Sequence, residues 1–359
     1  MKILVVAPPY LTIPNSRYGG IEQVTVSRAQ ALSRAGHRVT LLGPVTSEIR
    51  DVECISFQAI GFPNRSDSTD LIRWVTSSAA LRYALPYLSV KLRDSYDVVV
   101  NDAYRHEPWL TIVSATRFGV WRTLNVLHSN FPVDLIEASG LARFYKRLAF
   151  GSLNSPMQHV LAQRGYRTSY FPNGVDTFES PVASLSPESY LLFIGRIAPA
   201  KGVAEAIEIA RGMGRKLLIV GPIHDFVYFR HYVQPKLGAD ISHLGEIERK
   251  ELLALLSHAF ALVFASKYSD PQPSVLLEAL ATGVPVIALR PGPLSGFFDS
   301  ILPGFNYVVG SNVDEVVKGA RGIEELDRVK IQKHTQARWG WDQVTRTIYD
   351  PILRQLAHA

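Results

Sequence analysis

The chain has 359 residues, a length that suggests two domains of ordinary size. Apolar residues make up 47% of it and charged residues 19%, which describes a soluble globular protein with ample core; a single cysteine, Cys54, excludes an intramolecular disulfide and a cysteine metal cluster and fits a reducing cytoplasm. The net charge of +6 suits anionic ligands such as nucleotides, phosphates or a membrane surface, although a modest excess often serves solubility alone.

Lys2 to Ala7 (KILVVA) reads as a buried strand. It is too short for a signal peptide and runs directly into prolines, and no run in the chain approaches a membrane span. Pro8 to Gly20 is a loop, Ile21 to Ala35 a helix ended by Gly36-His37, and Arg38 to Leu42 the next strand, so the chain opens with a βαβ unit. The loop lacks G-x-G-x-x-G; instead Gly19-Gly20 precede the helix with Glu22 in its first turn. Glycine there lets backbone approach a ligand, and the helix N-terminus offers N–H groups to phosphate. Simple loop flexibility is the bland account of the same pair.

Val45 to Asp70 is poorly periodic and suits short strands and a polar loop. Leu71 to Arg93 looks helical, with Pro86 expected to kink it; its basic and aromatic residues suit a solvated face over a core face better than a membrane contact. Asp97 to Val100 and Trp121 to Leu127 are strands, ending at Asn101-Asp102 and at His128-Ser129. Ligands of open α/β sheets bind outside the carboxyl ends of strands, which makes Asp102, His106 and His128 candidates to meet an acceptor or donor. A lone histidine is more often structural. Leu141 to Phe150 reads as a basic amphipathic surface helix.

Phe171 to Asp176 (FPNGVD) contains a strong Asn-Gly turn signal, and Thr177 to Ser189 reads as an interdomain linker. The strand–helix alternation then restarts. Strands are expected at Tyr190 to Gly195, Lys216 to Val220 and Ala261 to Ala265, and helices at Val203 to Met213, Glu248 to Ser257, Val313 to Leu326 and Trp341 to Leu356. Between the first of these strands and its helix lies GRIAPAKG, Gly195 to Gly202. A glycine at the strand end permits close approach; Arg196 can grip a phosphate bidentately and Lys201 serves as a point charge. A solvated pair of cations is the simpler account of that loop taken alone.

The stretch SDPQPSVLLEALATGVPVIAL, Ser269 to Leu289, begins with a proline turn. Ser274 stands where an N-cap belongs, Val275 to Ala281 reads as a short helix, Gly283 as its C-cap, and Val286 to Leu289 as a buried strand. Glu278 is the odd residue in an apolar helix, placed near its start, where the macrodipole favours a carboxylate. With Asp270 across the turn it makes a receptor for hydroxyl groups, since a carboxylate can accept from both hydroxyls of a ribose diol. Support of the helix start is the plainer reading.

Leu277-Glu278-Ala279-Leu280 and Gly283-Val284-Pro285-Val286 closely resemble the signature of retaining, family-4-type nucleotide-sugar glycosyltransferases of the GT-B fold, in which an acid precedes the glutamate by seven intervening residues. Gly195 to Gly202 resembles the Gly-Arg-x-x-x-x-Lys-Gly loop of that family; Gly19-Gly20-x-Glu22 with Leu32, Gly36, His37 and Val39 resembles its first helix, and Phe171 to Asp176 its Pro-Asn-Gly-Val-Asp element. The resemblance spans nearly the whole chain. It implies an α/β GT-B protein with two Rossmann-like domains and a central cleft. Residues 1–172 would bind acceptor, 173–338 would bind donor, and 339–359 would form a C-terminal helix crossing back to the first domain. Closure of the domains over the linker is expected.

The same resemblance assigns roles. Arg196 and Lys201 hold the donor diphosphate, with Gly20 meeting it from the first domain; Glu278 binds the ribose; Asp270 and His128 contact the transferred sugar; backbone around Ile247 meets the base. Gly19, Gly195, Ser274 and Val275 complete the donor list, and Asp102 and His106 are acceptor candidates. Transfer would be front-face and retaining, with the leaving phosphate taking the acceptor proton and no protein nucleophile. Arg196, Lys201 and helix N-terminal amides would stabilise the charge developing on the β-phosphate, so no metal is required and none is expected. UDP is the favoured nucleotide and a sugar-containing small molecule the expected acceptor, in antibiotic or glycan biosynthesis. The chain also resembles glycosyltransferases of actinomycete oligosaccharide-antibiotic pathways such as avilamycin, although no single motif carries that likeness.

Two departures stand out. Asp270 occupies a position where the family usually has Glu, which leaves the transferred sugar open. After Leu289 the chain reads Arg290-Pro291-Gly292-Pro293-Leu294-Ser295-Gly296, with Asp299 the nearest acid to the one the pattern calls for. The rival readings are a GT-B sugar-nucleotide epimerase, which would need placed acid/base residues, and a nucleotide-sugar-binding protein without catalysis. The missing fingerprint disfavours an NAD-dependent oxidoreductase, and scattered basic residues disfavour a nucleic-acid partner. At most a peripheral membrane contact is expected; the oligomeric state is not readable.

Overall fold

The computed structural model describes residues 1–9, 11–14, 19–59, 96–103, 122–129, 131, 133–138, 140, 142–176, 190–267, 270–289 and 307–358. The expected helix Leu71 to Arg93, His106, the linker Thr177 to Ser189 and the segment Arg290 to Asp299 lie outside these residues. The chain divides into two units, the first comprising Met1–Asn15, Gly19–Gly174 and Trp341–Ala359, the second built on Val175–Gly340.

The first unit holds strands β1 (Lys2–Val6), β2 (Arg38–Gly43), β3 (Glu53–Ser56), β4 (Val98–Asn101), β5 (Thr123–Leu127), β6 (Ala149–Ser152) and β7 (Arg167–Tyr170), in the spatial order β3-β2-β1-β4-β5-β6-β7. Every pairing is parallel, with Ile3 opposite Val39 on one side and Val98 on the other. A parallel sheet covered on both faces needs apolar residues at successive positions, and Ile3, Leu4, Val5 and Val6 are each 0% exposed. Helix α1 (Gly20–Arg34) makes the first crossover, and Trp341 to Ala357 returns to this unit as one continuous helical run with a π-helical segment at Thr345–Tyr349.

One expectation fails here. Leu141 to Phe150 is not a surface helix: among its described residues only Ala142–Tyr145 is helical, and Ala149–Ser152 forms β6 between β5 and β7. Phe150, fully buried, packs with Leu148, Leu161 and Tyr166; a site between two strands overrides the basic pattern preceding it.

The second unit repeats the arrangement with β8 (Leu191–Ile194), β9 (Leu217–Val220), β10 (Ile241–Gly245), β11 (Ala261–Phe264), β12 (Val286–Leu289) and β13 (Tyr307–Gly310), ordered β10-β9-β8-β11-β12-β13 and all parallel. Its helices include α2 (Val203–Gly212), α3 (Arg249–His258), α4 (Ser274–Ala281), α5 (Val313–Gly319) and α6 (Arg328–Trp339). One core cluster joins α2 to the sheet through Ile207, Ile209, Ile219 and Val263; another joins α3, α4 and α6 through Leu256, Leu276, Leu280 and Ile331. The Val313 to Leu326 helix is shorter than expected, ending at Gly319.

In each sheet the strand order reverses at one place, between β1 and β4 and between β8 and β11. Crossovers on the two sides of such a point leave a crevice outside the strand ends. The second crevice is closed by a tight backbone approach. Gly202 has φ +71, and a Cβ built on it would lie 1.9 Å from the Ala265 carbonyl oxygen. The Lys267 N–H donates to the Ala200 carbonyl at 2.9 Å, locking the loop after β8 to the loop after β11. Gly202→Ala is therefore expected to lower the stability of the second unit by at least about 2 kcal/mol, read as a lower midpoint in urea unfolding.

Candidate functional site

The residues singled out in the second unit collect at the carboxyl ends of β8, β10 and β11. Gly195 and Arg196 follow β8 directly, both partly buried, and Arg196 Nη1 lies 3.5 Å from His224 Nε2. A 3-10 turn, Pro199–Lys201, brings Lys201 back across the crevice, where its Nζ stands 3.6 Å from Asp270 Oδ2. Both side chains are about a quarter exposed, at 24% and 25%, so the cation and the acid remain open to a ligand. Ile247 follows β10 half-buried and, like Val275, packs against the edge of the core.

Glu278 sits on α4. Its helix begins at Ser274, and the cap position belongs to Pro273, with extended ψ 119 and no side-chain capping bond. Ser274 is thus not the N-cap: the proline's fixed φ suits the last non-helical residue, and the serine becomes the first helical one. Glu278 then falls in the second turn, beyond the range at which the macrodipole acts strongly. The helix closes through Gly283, φ +80, with Gly283 N–H to Leu280 O at 3.0 Å and Val284 N–H to Ala279 O at 2.8 Å.

What steadies the Glu278 carboxylate is a residue without a sequence signal. Arg249, at the start of α3, donates from Nη2 to Glu278 Oε1 at 3.1 Å. The Glu278 side chain is 12% exposed and the Arg249 side chain 26%. Burial pushes the Glu278 carboxyl above its ordinary range, Arg249 pulls it back, and the Asp176 carboxylate pushes it up again. Arg249 loses charge stability to burial but regains more from Glu278 and Asp176, so its guanidinium is held charged.

In the first unit the picture differs. Asp102, just past β4, is fully buried in an ion pair with Arg28 of α1, and accepts on the same oxygen from His128 Nε2 at 2.7 Å. Arg28 also donates to Asn173 Oδ1 at 3.1 Å and to the Tyr349 hydroxyl at 3.3 Å, and the Tyr349 hydroxyl donates to the Pro172 carbonyl. The guanidinium lies among the rings of Phe171, Tyr349 and Trp341, 5.3, 5.5 and 6.0 Å from their centroids. At 0% exposure and paired with Arg28, the Asp102 carboxylate serves as a structural anchor of the first unit. His128 is 9% exposed and oriented by Asp102. Gly19 and the exposed Gly20 stand at the start of α1, and burial raises the Glu22 carboxyl there.

Arg28 was missed from sequence, although a signal was available: with Val24, Thr25, Ala31 and Leu32 it lies on the buried face of α1, an arginine on an apolar stripe. Among the described residues no group of three or more His, Cys, Asp or Glu side chains is arranged to hold a metal ion, and no helix is long and apolar enough to cross a membrane. Burial raises the Cys54 thiol, which keeps it protonated.

The buried pair is testable. Desolvation opposes the Asp102 charge, but Arg28 and His128 hold its carboxyl below the usual range. Its stabilisation is present above the unfolded value of about 3.9 and is lost as pH falls through the lower folded value. Arg28→Met should destabilise the first unit by roughly 3–5 kcal/mol and move acid unfolding to higher pH. Arg28→Met with Asp102→Asn should recover part of that loss, read from urea midpoints at several pH values.

Residues 176–338 match the family described as Glycosyl transferases group 1. No curated protein matches the chain by sequence. Among solved structures, AviGT4, a glycosyltransferase involved in avilamycin A biosynthesis, is similar at 21% identity and TM-score 0.70, covering 99% of this chain and 98% of that one. Sucrose-phosphate synthase from Thermosynechococcus elongatus is similar at 17% identity and TM-score 0.72, with the same coverage of 99% and 98%. Anabaena HepE in complex with UDP-glucose follows at 15% identity and TM-score 0.67, covering 98% and 99%. At such identities these likenesses establish the fold. The chain has the GT-B fold, and its residues 176–338 match the model of the glycosyl transferases group 1 family.

Proposed function

We propose that the protein is a retaining glycosyltransferase that moves a sugar from a nucleoside-diphosphate sugar, UDP favoured, to a hydroxyl of a sugar-containing small molecule. The observation that carries this reading is the grouping of Arg196, Lys201, Asp270 and Glu278 at the carboxyl edge of one sheet, in a domain that matches this family. Similarity to HepE, solved with UDP-glucose, supports the donor class, and similarity to AviGT4, which is involved in avilamycin A biosynthesis, supports a role in antibiotic biosynthesis.

The reaction breaks the bond between the anomeric carbon and the β-phosphate oxygen and forms one to the acceptor oxygen, whose proton passes to the leaving phosphate. Negative charge grows on that phosphate. Arg196 and Lys201 are the fixed cations proposed to meet it, with Gly195 allowing close approach, so that transfer proceeds without a metal. Glu278 takes the ribose diol, backbone at Ile247 the base, and Ser274-Val275 the phosphate side of α4. Asp270 and His128 contact the transferred sugar, and Gly19-Gly20 offer backbone amides to the diphosphate. Asp270 also holds Lys201 3.6 Å away, which positions the cation before the donor arrives.

Calorimetric titration with UDP, GDP and ADP in EDTA tests the donor site. Binding of UDP in preference to the others is expected, weakened about 10- to 100-fold by Glu278→Ala and by Arg196→Ala, since each removes hydrogen bonds to a charged group. Binding that ignores both substitutions would sink the assignment.

A further inference from the structure

Resting on the assignment of Glu278 to the ribose, we infer that Arg249 is a positioning residue of the donor site: its guanidinium holds the Glu278 carboxylate in place and ionised, so that it presents acceptors to both ribose hydroxyls. The geometry is specific. Arg249 Nη2 engages one oxygen, Oε1, at 3.1 Å, which leaves Oε2 for a diol. Arg249 begins the helix that follows Ile247 and therefore flanks the nucleoside on its own side of the crevice. The pair spans α3 and α4, so it fixes the carboxylate against rotation relative to the base-side backbone.

The need for such a partner follows from burial. A carboxyl taken out of water favours its neutral form, and a neutral carboxyl offers one hydroxyl donor where a diol needs an acceptor. Asp176 adds a second negative charge nearby and aggravates the problem. The other surroundings offer no relief. β11 and β12, packed against α4, carry no charged residue. On α6, Arg328 is turned to the carbonyls of Gly283 and Ser257, each at 3.1 Å, and Lys330, Lys333, His334 and Arg338 do not act on Glu278. Among the described residues Arg249 is the cation that acts on this carboxylate.

The test is UDP affinity by calorimetry for wild type, Arg249→Met, Arg249→Gln and Arg249→Lys between pH 6.5 and 9. Each variant is compared with wild type at the same pH, so that titration of the ligand cancels. Without the guanidinium, the binding-competent ionised form of Glu278 grows as pH rises through its elevated pKa. Arg249→Met should bind more weakly than wild type at the acid end of the range, with the gap narrowing as pH rises, by up to about tenfold per pH unit. Arg249→Gln, closer in shape and polarity, should show the same narrowing, and Arg249→Lys should stay near wild type throughout. A gap that does not change with pH, or no gap, overturns the inference: the arginine would then be structural or idle. Glu278→Gln separates this from the underlying assignment. Its binding should be weak and indifferent to pH; wild-type affinity in Glu278→Gln would overturn the ribose assignment itself.

Discussion

A parallel sheet forces every connection to cross over a face, so the carboxyl ends of all its strands emerge along one edge. Both sheets of this protein are wholly parallel among the described residues, and each reverses its strand order once. The grouping of candidate site residues in the second unit depends on that constraint. Arg196 leaves β8, Ile247 follows β10, and Asp270 follows β11, although dozens of residues separate them along the chain. The sheet edge brings them together without any of them contacting another in sequence. The loops holding them are then drawn tight by backbone contacts, among them the Lys267 N–H to Ala200 carbonyl bond and the approach of Gly202 to Ala265 that leaves no room for a Cβ.

The two units use the same pairing of a buried acid with an arginine to opposite ends. In the first, Asp102 is sealed with Arg28 and His128, and the arginine is further engaged by Asn173, Tyr349 and three aromatic rings. Such a cluster ties α1, the strand ends and the C-terminal helical segment into one body. In the second, Glu278 keeps one oxygen outside its bond to Arg249, and both side chains retain some exposure. Burial raises the Glu278 carboxyl while the net effect on Asp102 is downward. A sealed pair stabilises; a pair left partly open keeps the carboxylate accessible, as the proposed ribose contact requires.

Much of this was legible from residues alone, for physical reasons. Strands buried on both faces of a parallel sheet read as continuous apolar runs, which is why KILVVA, LLFI and VIAL announce themselves. Gly283 and the Arg196–Lys201 loop are marked by backbone and charge requirements that local sequence expresses. β6 was not legible, because AFGS carries a glycine and a serine and becomes a strand only through its neighbours β5 and β7. Nor was the Arg249–Glu278 pair, whose members are 29 residues apart on two helices brought together by packing. Asp102 shows the same limit: its place at a strand end was readable, but the arginine from α1 that pairs with its carboxylate was not.

The central claim is that the carboxyl edge of the second sheet binds a nucleoside diphosphate through Glu278, Arg196 and Lys201. A crystal structure with UDP bound tests it most directly. The account predicts the ribose hydroxyls within hydrogen-bonding distance of Glu278 and the β-phosphate on Arg196 and Lys201. Nucleotide bound elsewhere, or at this edge with Glu278 still facing Arg249 alone, would contradict it.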